Sequence, residues 1–145
     1  MTRILDARTS QNATTFASIS DTFSFDPVFF AQVGLNCINP AGNIRVQFTV
    51  TSTVTIPAES GSIAVIIDIV RGTLPTDQLV YSAAFIEPNS ATAVTRAFTV
   101  TGSEFDIPAP ASNELVYTAF IRCPDAVTLT RNGPESFNAI AFSDD

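Results

Sequence analysis

Few side chains in this sequence are equipped for chemistry, and the absences are as informative as the positions. The chain has no His and no Lys, and its seven basic residues are all Arg. The commonest general base and metal ligand, and the amine of Schiff-base chemistry, are therefore missing. Cys37 and Cys123 are the only thiols. They lack the CxxC spacing of a zinc or redox motif, and without a histidine neither has a base to activate it. Two readings of the pair stand: buried, inert thiols, or a disulfide, within one subunit or between neighbours, since each lies near the end of an expected strand where partners meet. Glu104 and Asp106, two apart on an expected strand, share a face and read as a solvated edge or a weak cation site. Asp68, between Ile67 and Ile69 in the most apolar stretch, is the charge least expected in its place, and an Arg partner, Arg71 or Arg45, is the ordinary way to hold it. Asn12-Ala13-Thr14 matches a glycosylation sequon, read as chance in a chain without a secretory signal. GxSxG, Walker A and GxGxxG patterns are absent. The sequence predicts no catalytic, cofactor-binding or metal site, and no enzyme.

The elements that would carry these residues are strands. The chain is organised around Gly61 to Phe85, read as a central hairpin. In it Ile63, Val65, Ile67 and Ile69 face one way and Ala64, Ile66, Asp68 and Val70 the other, so this strand is buried on most of both faces. Gly72 to Asp77 breaks the pattern, and Leu79 to Phe85 returns. Upstream, Thr14 to Phe25 reads as a first strand whose Phe16, Ile19, Phe23 and Phe25 enter the core. A second, Val28 to Ile38, has Phe29, Ala31, Val33, Leu35 and Cys37 on one face. Arg45 to Thr51 shows the cleanest alternation, with Val46, Phe48 and Val50 inward. Downstream, Val94 to Val100 with Phe105 and Ile107 gives a strand or bulged pair, and Glu114 to Arg122 gives another strand. Val127 with Leu129 is a short strand, Asn132-Gly133-Pro134 the last turn, and Ser136 to Phe142 the final strand, whose small residues suit a place between two sheets or against another subunit. No window repeats apolar residues at three and four over a helical length. Eight to ten short strands with regular turns predict an all-β fold, a two-sheet antiparallel sandwich of the jelly-roll type. Residues 14–145 form that single domain. Residues 1–13 form an extended amino-terminal arm, with a short edge strand folded back on its own sandwich as the other reading, and its Ile4-Leu5 pair is the expected subunit contact.

At 145 residues the chain suits one domain with one proper core. Charged residues make up only 14%, replaced by Thr, Ser, Asn and Gln, and a neutral polar surface of that kind packs readily against copies of itself. A net charge of -7 repels phosphate backbones and anionic headgroups, so neither nucleic acid nor membrane is an expected partner. The start, Met1 to Arg8, has no apolar h-region or small-residue cleavage site, which predicts synthesis in the cytoplasm without a Sec signal.

Four blocks, in order and with fitting spacing, carry a likeness to a known family. They are Thr2-Arg3-Ile4-Leu5-Asp6-Ala7-Arg8-Thr9-Ser10-Gln11, Asp68-Ile69-Val70-Arg71-Gly72 followed by Leu79-Val80-Tyr81, Leu115-Val116-Tyr117-Thr118-Ala119, and Gly133-Pro134-Glu135-Ser136-Phe137-Asn138-Ala139-Ile140-Ala141. Over nearly its full length the chain resembles the exosporium protein C family, small proteins of the spore surface in Bacillus and relatives. The paired cysteines and the lack of Lys depart from that pattern. The resemblance implies a structural, self-associating component of the exosporium or outer coat, made in the mother-cell cytoplasm, forming homo-oligomers or polymers and meeting other spore-surface proteins, with no cofactor. In such a layer a Lys-free subunit offers isopeptide chemistry only Gln acceptors such as Gln11, Gln32, Gln47 and Gln78, or its terminal amine, so covalent attachment is expected mainly through Cys. The alternatives are a jelly-roll carbohydrate-binding or adhesion module, or a phage capsid or fibre subunit.

Overall fold

A computed structural model describes residues 1–144. Among them there is no helix, and nine strands run in the order β1 (Arg3–Ala13), β2 (Asp21–Phe23), β3 (Val28–Asn36), β4 (Ile44–Ile56), β5 (Ile63–Arg71), β6 (Gln78–Glu87), β7 (Val94–Ile107), β8 (Glu114–Arg122) and β9 (Leu129–Ser143). All pairings are antiparallel. One sheet has the order β1-β9-β4-β7, with β2 continuing the β1 side of β9, and the other has the order β3-β8-β5-β6. The chain pairs with itself as one long ribbon, β5 with β6, β4 with β7, β3 with β8, and β1 and β2 with β9. Rolling that ribbon adds the pairs β4 with β9 and β5 with β8 and closes a jelly roll. The hairpin at the centre of the sequence is the tip of this ribbon, and rolling leaves its second strand, β6, at a sheet edge.

The core lies between the sheets and is filled by alternate residues. Val46, Phe48 and Val50 of β4, Ile63, Val65, Ile67 and Ile69 of β5, and Leu115, Tyr117, Ala119 and Ile121 of β8 are all buried, as their alternation requires. Phe137, Ala139 and Ala141 of β9 join them, the alanines fitting a strand flanked on both sides within its sheet.

Four expectations are corrected. Residues 1–13 are not an arm: Arg3 to Ala13 pairs along its length with β9, because the open flank of β9 lies within reach of the chain's own start and its backbone groups need partners. Residues 14–20 form a loop, and of the four aromatic and aliphatic residues placed in a first strand only Phe23 is in the core, while Phe16 is 63% exposed. In β3 a register shift between Phe29 and Ala31 puts Phe30 inside and leaves Phe29 exposed. Finally, Asn132-Gly133-Pro134 is no turn but the middle of β9, where a register shift absorbs the irregularity. Gly133 has φ +80, and a Cβ there would lie 2.8 Å from the Thr15 carbonyl oxygen, so the 14–20 loop packs on a backbone that only Gly leaves open.

Candidate functional site

The residues singled out for chemistry are each paired or sealed, and the fold does not gather them. Cys37 follows β3, where its N–H donates to the Asn113 carbonyl at 2.8 Å. Cys123 follows β8, where its N–H donates to the Ser24 carbonyl at 2.8 Å. The two strands are antiparallel neighbours, so the cysteines sit at opposite ends of the sandwich, roughly 30 Å apart at about 3.3 Å per residue. A disulfide needs Cα atoms within about 7 Å. Both thiols are free and fully buried, which closes a bond within the subunit by distance and withholds either from a neighbour. Burial pushes the Cys37 thiol up to about 11, with the nearby Asp6 charge adding to the effect, so it stays protonated and inert. Attachment through Cys is thereby closed in the folded subunit.

Asp68 faces outward on β5 and is held by Arg122 of the neighbouring β8, Nε to Oδ2 2.9 Å, with the Ser82 hydroxyl donating to its other oxygen. Neither Arg71 nor Arg45 serves it: Arg45 lies on β4 in the other sheet, while Arg122 is a cross-strand neighbour on the same face. Arg71 instead bridges to Glu104 at 3.0 Å, and the Tyr117 hydroxyl donates to that carboxylate at 2.6 Å. Burial, reinforced by this bond, pushes the Tyr117 hydroxyl far above its ordinary value. Asp106 has φ +58 in a register shift and stands exposed, away from Glu104, so the two form no cation site. Among the described residues no group of three or more His, Cys, Asp or Glu is placed to hold a metal ion.

A buried charge network escaped the sequence reading. Glu135, fully buried on the inward face of β9, accepts from Arg131 Nη1 at 3.0 and 3.1 Å, from Asn12 Nδ2 at 2.7 Å and from Ser52 Oγ at 3.1 Å. Arg131 also reaches Asp21 at 3.1 Å, and its Nε is buried without a partner. The signal was present: the odd positions from Leu129 to Ala141 keep one inward parity straight through the Gly-Pro pair. The network joins β1, β2, β4 and β9 at one end of the sandwich.

The two outer faces differ. On the β1-β9-β4-β7 sheet, hydroxyls stand opposite one another on β4 and β7: Thr51 and Thr99 at 2.9 Å, Thr55 and Thr95 at 2.8 Å, and Thr49 and Thr101 at 3.5 Å. A shallow hollow of about 300 Å³ lies on this face, lined by Gln47, Thr49, Thr101, Ser103, Asn138 and Ile140. Towards the end of the sheet where β1 begins, the face turns apolar. Ile4 stands opposite Phe142, Phe142 opposite Arg45, and Phe105 lies in the register shift facing Arg45. Ile4 is 62% and Phe105 67% exposed, and Ile140 flanks the row. Arg45 lies 5.4 Å over the Phe142 ring and 3.6 Å from Asp144. Leu5, the other half of the expected contact, points the opposite way and packs on the core, since neighbours in a strand face opposite sides.

No protein-family model matches this chain, and no curated protein matches it. Solved structures that it resembles are viral. A chain of the T13 IBDV viral particle is 9% identical with TM-score 0.40, over 95% of this chain and 35% of that one. The PRD1 vertex protein P5 is 10% identical with TM-score 0.37, over 99% of both chains. A chain of the cowpea mosaic virus top component, a naturally occurring empty particle, is 14% identical with TM-score 0.34, over 99% of this chain and 86% of that one. This chain spans about a third of the length of the first of these. The jelly-roll assignment itself follows from the strand order. Among the described residues no helix is long and apolar enough to cross a membrane.

Proposed function

We propose that this protein is a non-catalytic, self-associating structural subunit of a surface layer, and that the layer is the exosporium or outer coat of a bacterial spore. The observation that carries self-association is the apolar row across one sheet in which the exposed Ile4 and Phe105 flank the half-buried Phe142, its one nearby cation, Arg45, being already paired with Asp144. Contiguous exposed apolar side chains mark sites where another surface belongs. A second copy fits because both meeting surfaces would then carry little charge to desolvate. Ile4 is thus a contact residue, and Leu5 supports it from below. The spore address, the mother-cell origin and other spore-surface proteins as partners rest on the sequence resemblance. Structural work of this kind needs no cofactor. Gln11, Gln47 and Gln78 are exposed and remain the acceptors through which cross-linking would run.

A carbohydrate-binding or adhesion role finds one favouring feature, the hydroxyl-lined hollow beside Thr49 and Thr101. The hollow lacks the exposed aromatic ring on which a sugar stacks, since the one ring that lines it, Phe48, is buried in the core. Immunogold labelling of spores against mother-cell lysate tests the assignment: label on the outermost layer supports it, and protein confined to the lysate sinks it.

A further inference from the structure

Each sheet edge is a row of backbone N–H and C=O groups that a second strand can complete. Three of the four edges are blunted. Strand β1 has two register shifts, carries Arg3, Asp6 and Arg8, and has Asp6 turned to the Asn36 N–H of β3. Strand β3 carries a register shift near its start, and β6, with a shift at Ile69/Val70, keeps unbroken register only over the shorter run Tyr81 to Glu87 before Pro88. Strand β7 differs. It pairs with β4 alone, in the longer unbroken register from Val94 to Glu104 with its one shift beyond that run, and among the described residues no turn or loop bonds to its outer edge. Between Arg96 and Glu104 it reads Ala-Phe-Thr-Val-Thr-Gly-Ser, uncharged, free of Pro and rich in β-formers.

We infer that β7 is the edge through which two copies join, antiparallel about a two-fold axis, with Val100 opposite Val100 of the second copy. The inference rests on the self-association proposed above and adds a second contact, at the sheet edge opposite Ile4. Pairing about a two-fold keeps the sum of paired residue numbers constant, and the sum must be even for side-chain faces to match. The Val100-centred register sets Arg96 opposite Glu104 of the second copy at both ends. With the pairs already present, Glu87 to Arg96 at 3.3 Å and Glu104 to Arg71 at 3.0 Å, the charges then alternate in sign from one subunit to the next. Shifting by two residues in either direction places Glu104 opposite Phe98 or Val94 and loses the ion pair. On the outer face the chosen register puts Thr99 opposite Thr101, so the hydroxyl pairs Thr51–Thr99 and Thr49–Thr101 extend across the junction. The four-stranded path β1-β9-β4-β7 becomes one continuous sheet shared by two subunits.

Light scattering on the full chain, with circular dichroism to confirm folding, tests this. Thr99 and Thr101 are exposed in the subunit. The T99K/T101K variant, which faces like charges across the junction, is expected to halve the mass of the smallest assembly. The T99K/T101E variant faces opposite charges in the same register and is expected to restore it. Mixing T99C protein with T101C protein under mild oxidation is expected to give a covalent dimer that neither forms alone. A folded T99K/T101K protein of unchanged mass, or cross-linking of T99C alone, overturns the β7 contact while leaving self-association standing. A wild type that is monomeric at every concentration overturns both.

Discussion

The buried network around Glu135 offers a sharp test of the packing at one end of the sandwich. Its carboxylate is fully buried and accepts four hydrogen bonds, two of them from Arg131, whose own side chain is 6% exposed. Replacing Glu135 with Ala leaves a buried guanidinium whose remaining anionic partner is Asp21, more than half exposed, and removes the acceptor for Asn12 and Ser52. Breaking one side of a buried pair costs about 3–5 kcal/mol, a large share of the roughly 5–15 kcal/mol that holds a domain of this size. The double variant R131M/E135L removes both charges together and should recover most of that loss, since an apolar replacement of a buried pair is often neutral or better. Urea denaturation followed by circular dichroism reads both, with the difference between single and double variants as the coupling. An E135A variant within about 1 kcal/mol of wild type would mean that Glu135 is solvated and would refute the described packing.

Four further outcomes follow from the same structure. A thiol reagent added to the folded protein should modify neither cysteine, both should react after unfolding, and a non-reducing gel should show no disulfide-linked species; a rapidly reacting thiol would contradict the burial. Ile4→Ser should leave stability within about 0.5 kcal/mol, as for an exposed site, and weaken assembly, whereas Leu5→Ala should cost stability, by chemical denaturation, and spare assembly. Deleting residues 1–11 should collapse the fold rather than merely release subunits, because β9 would lose its neighbour along most of its length; a truncated protein with an intact β spectrum and melting transition would count against β1 as an integral strand. The Asn36 backbone N–H, helped by Arg8, holds the Asp6 carboxyl below its ordinary value of 3.8. A lowered native value stabilises the fold above the ordinary range and loses that contribution as pH falls through the native value. Asp6→Asn should therefore flatten the acid limb of the stability curve, and an unchanged limb would deny the bond to Asn36 a role.

What was legible in the sequence follows from where the chain alternates without interruption. Strands β5 and β8 are legible because one apolar parity runs through each with no Gly or Pro inside it, whereas β4 is legible only to Thr51, because the inward Ser52 interrupts the apolar parity that resumes at Val54 and Ile56. Strand β9 was split in two because Asn132-Gly133-Pro134 carries the residue types of a turn, while its inward parity continued unnoticed through Arg131 and Glu135. The exchange of Phe29 for Phe30 in the core stems from a register shift that no local pattern encodes, since either ring suits an alternating strand. Phe16 and Phe25 were placed inside on hydrophobicity alone, though large apolar residues are free to stand in loops. The partners of Asp68 and Glu104 are hidden for a different reason: they come from other strands, and only the rolling of the ribbon brings Arg122 and Tyr117 beside them. The open edge of β7 was invisible for the same reason, because sheet order is a property of the whole chain.

The central claim is that this subunit builds a layer by associating with itself. Size-exclusion chromatography with light scattering across a wide concentration range, followed by electron microscopy of the same fractions, measures it directly. The account predicts an even-numbered assembly at low concentration that grows into ordered sheets or fibres as concentration rises. A single monomeric species throughout, with no ordered particle on the grid, would contradict it.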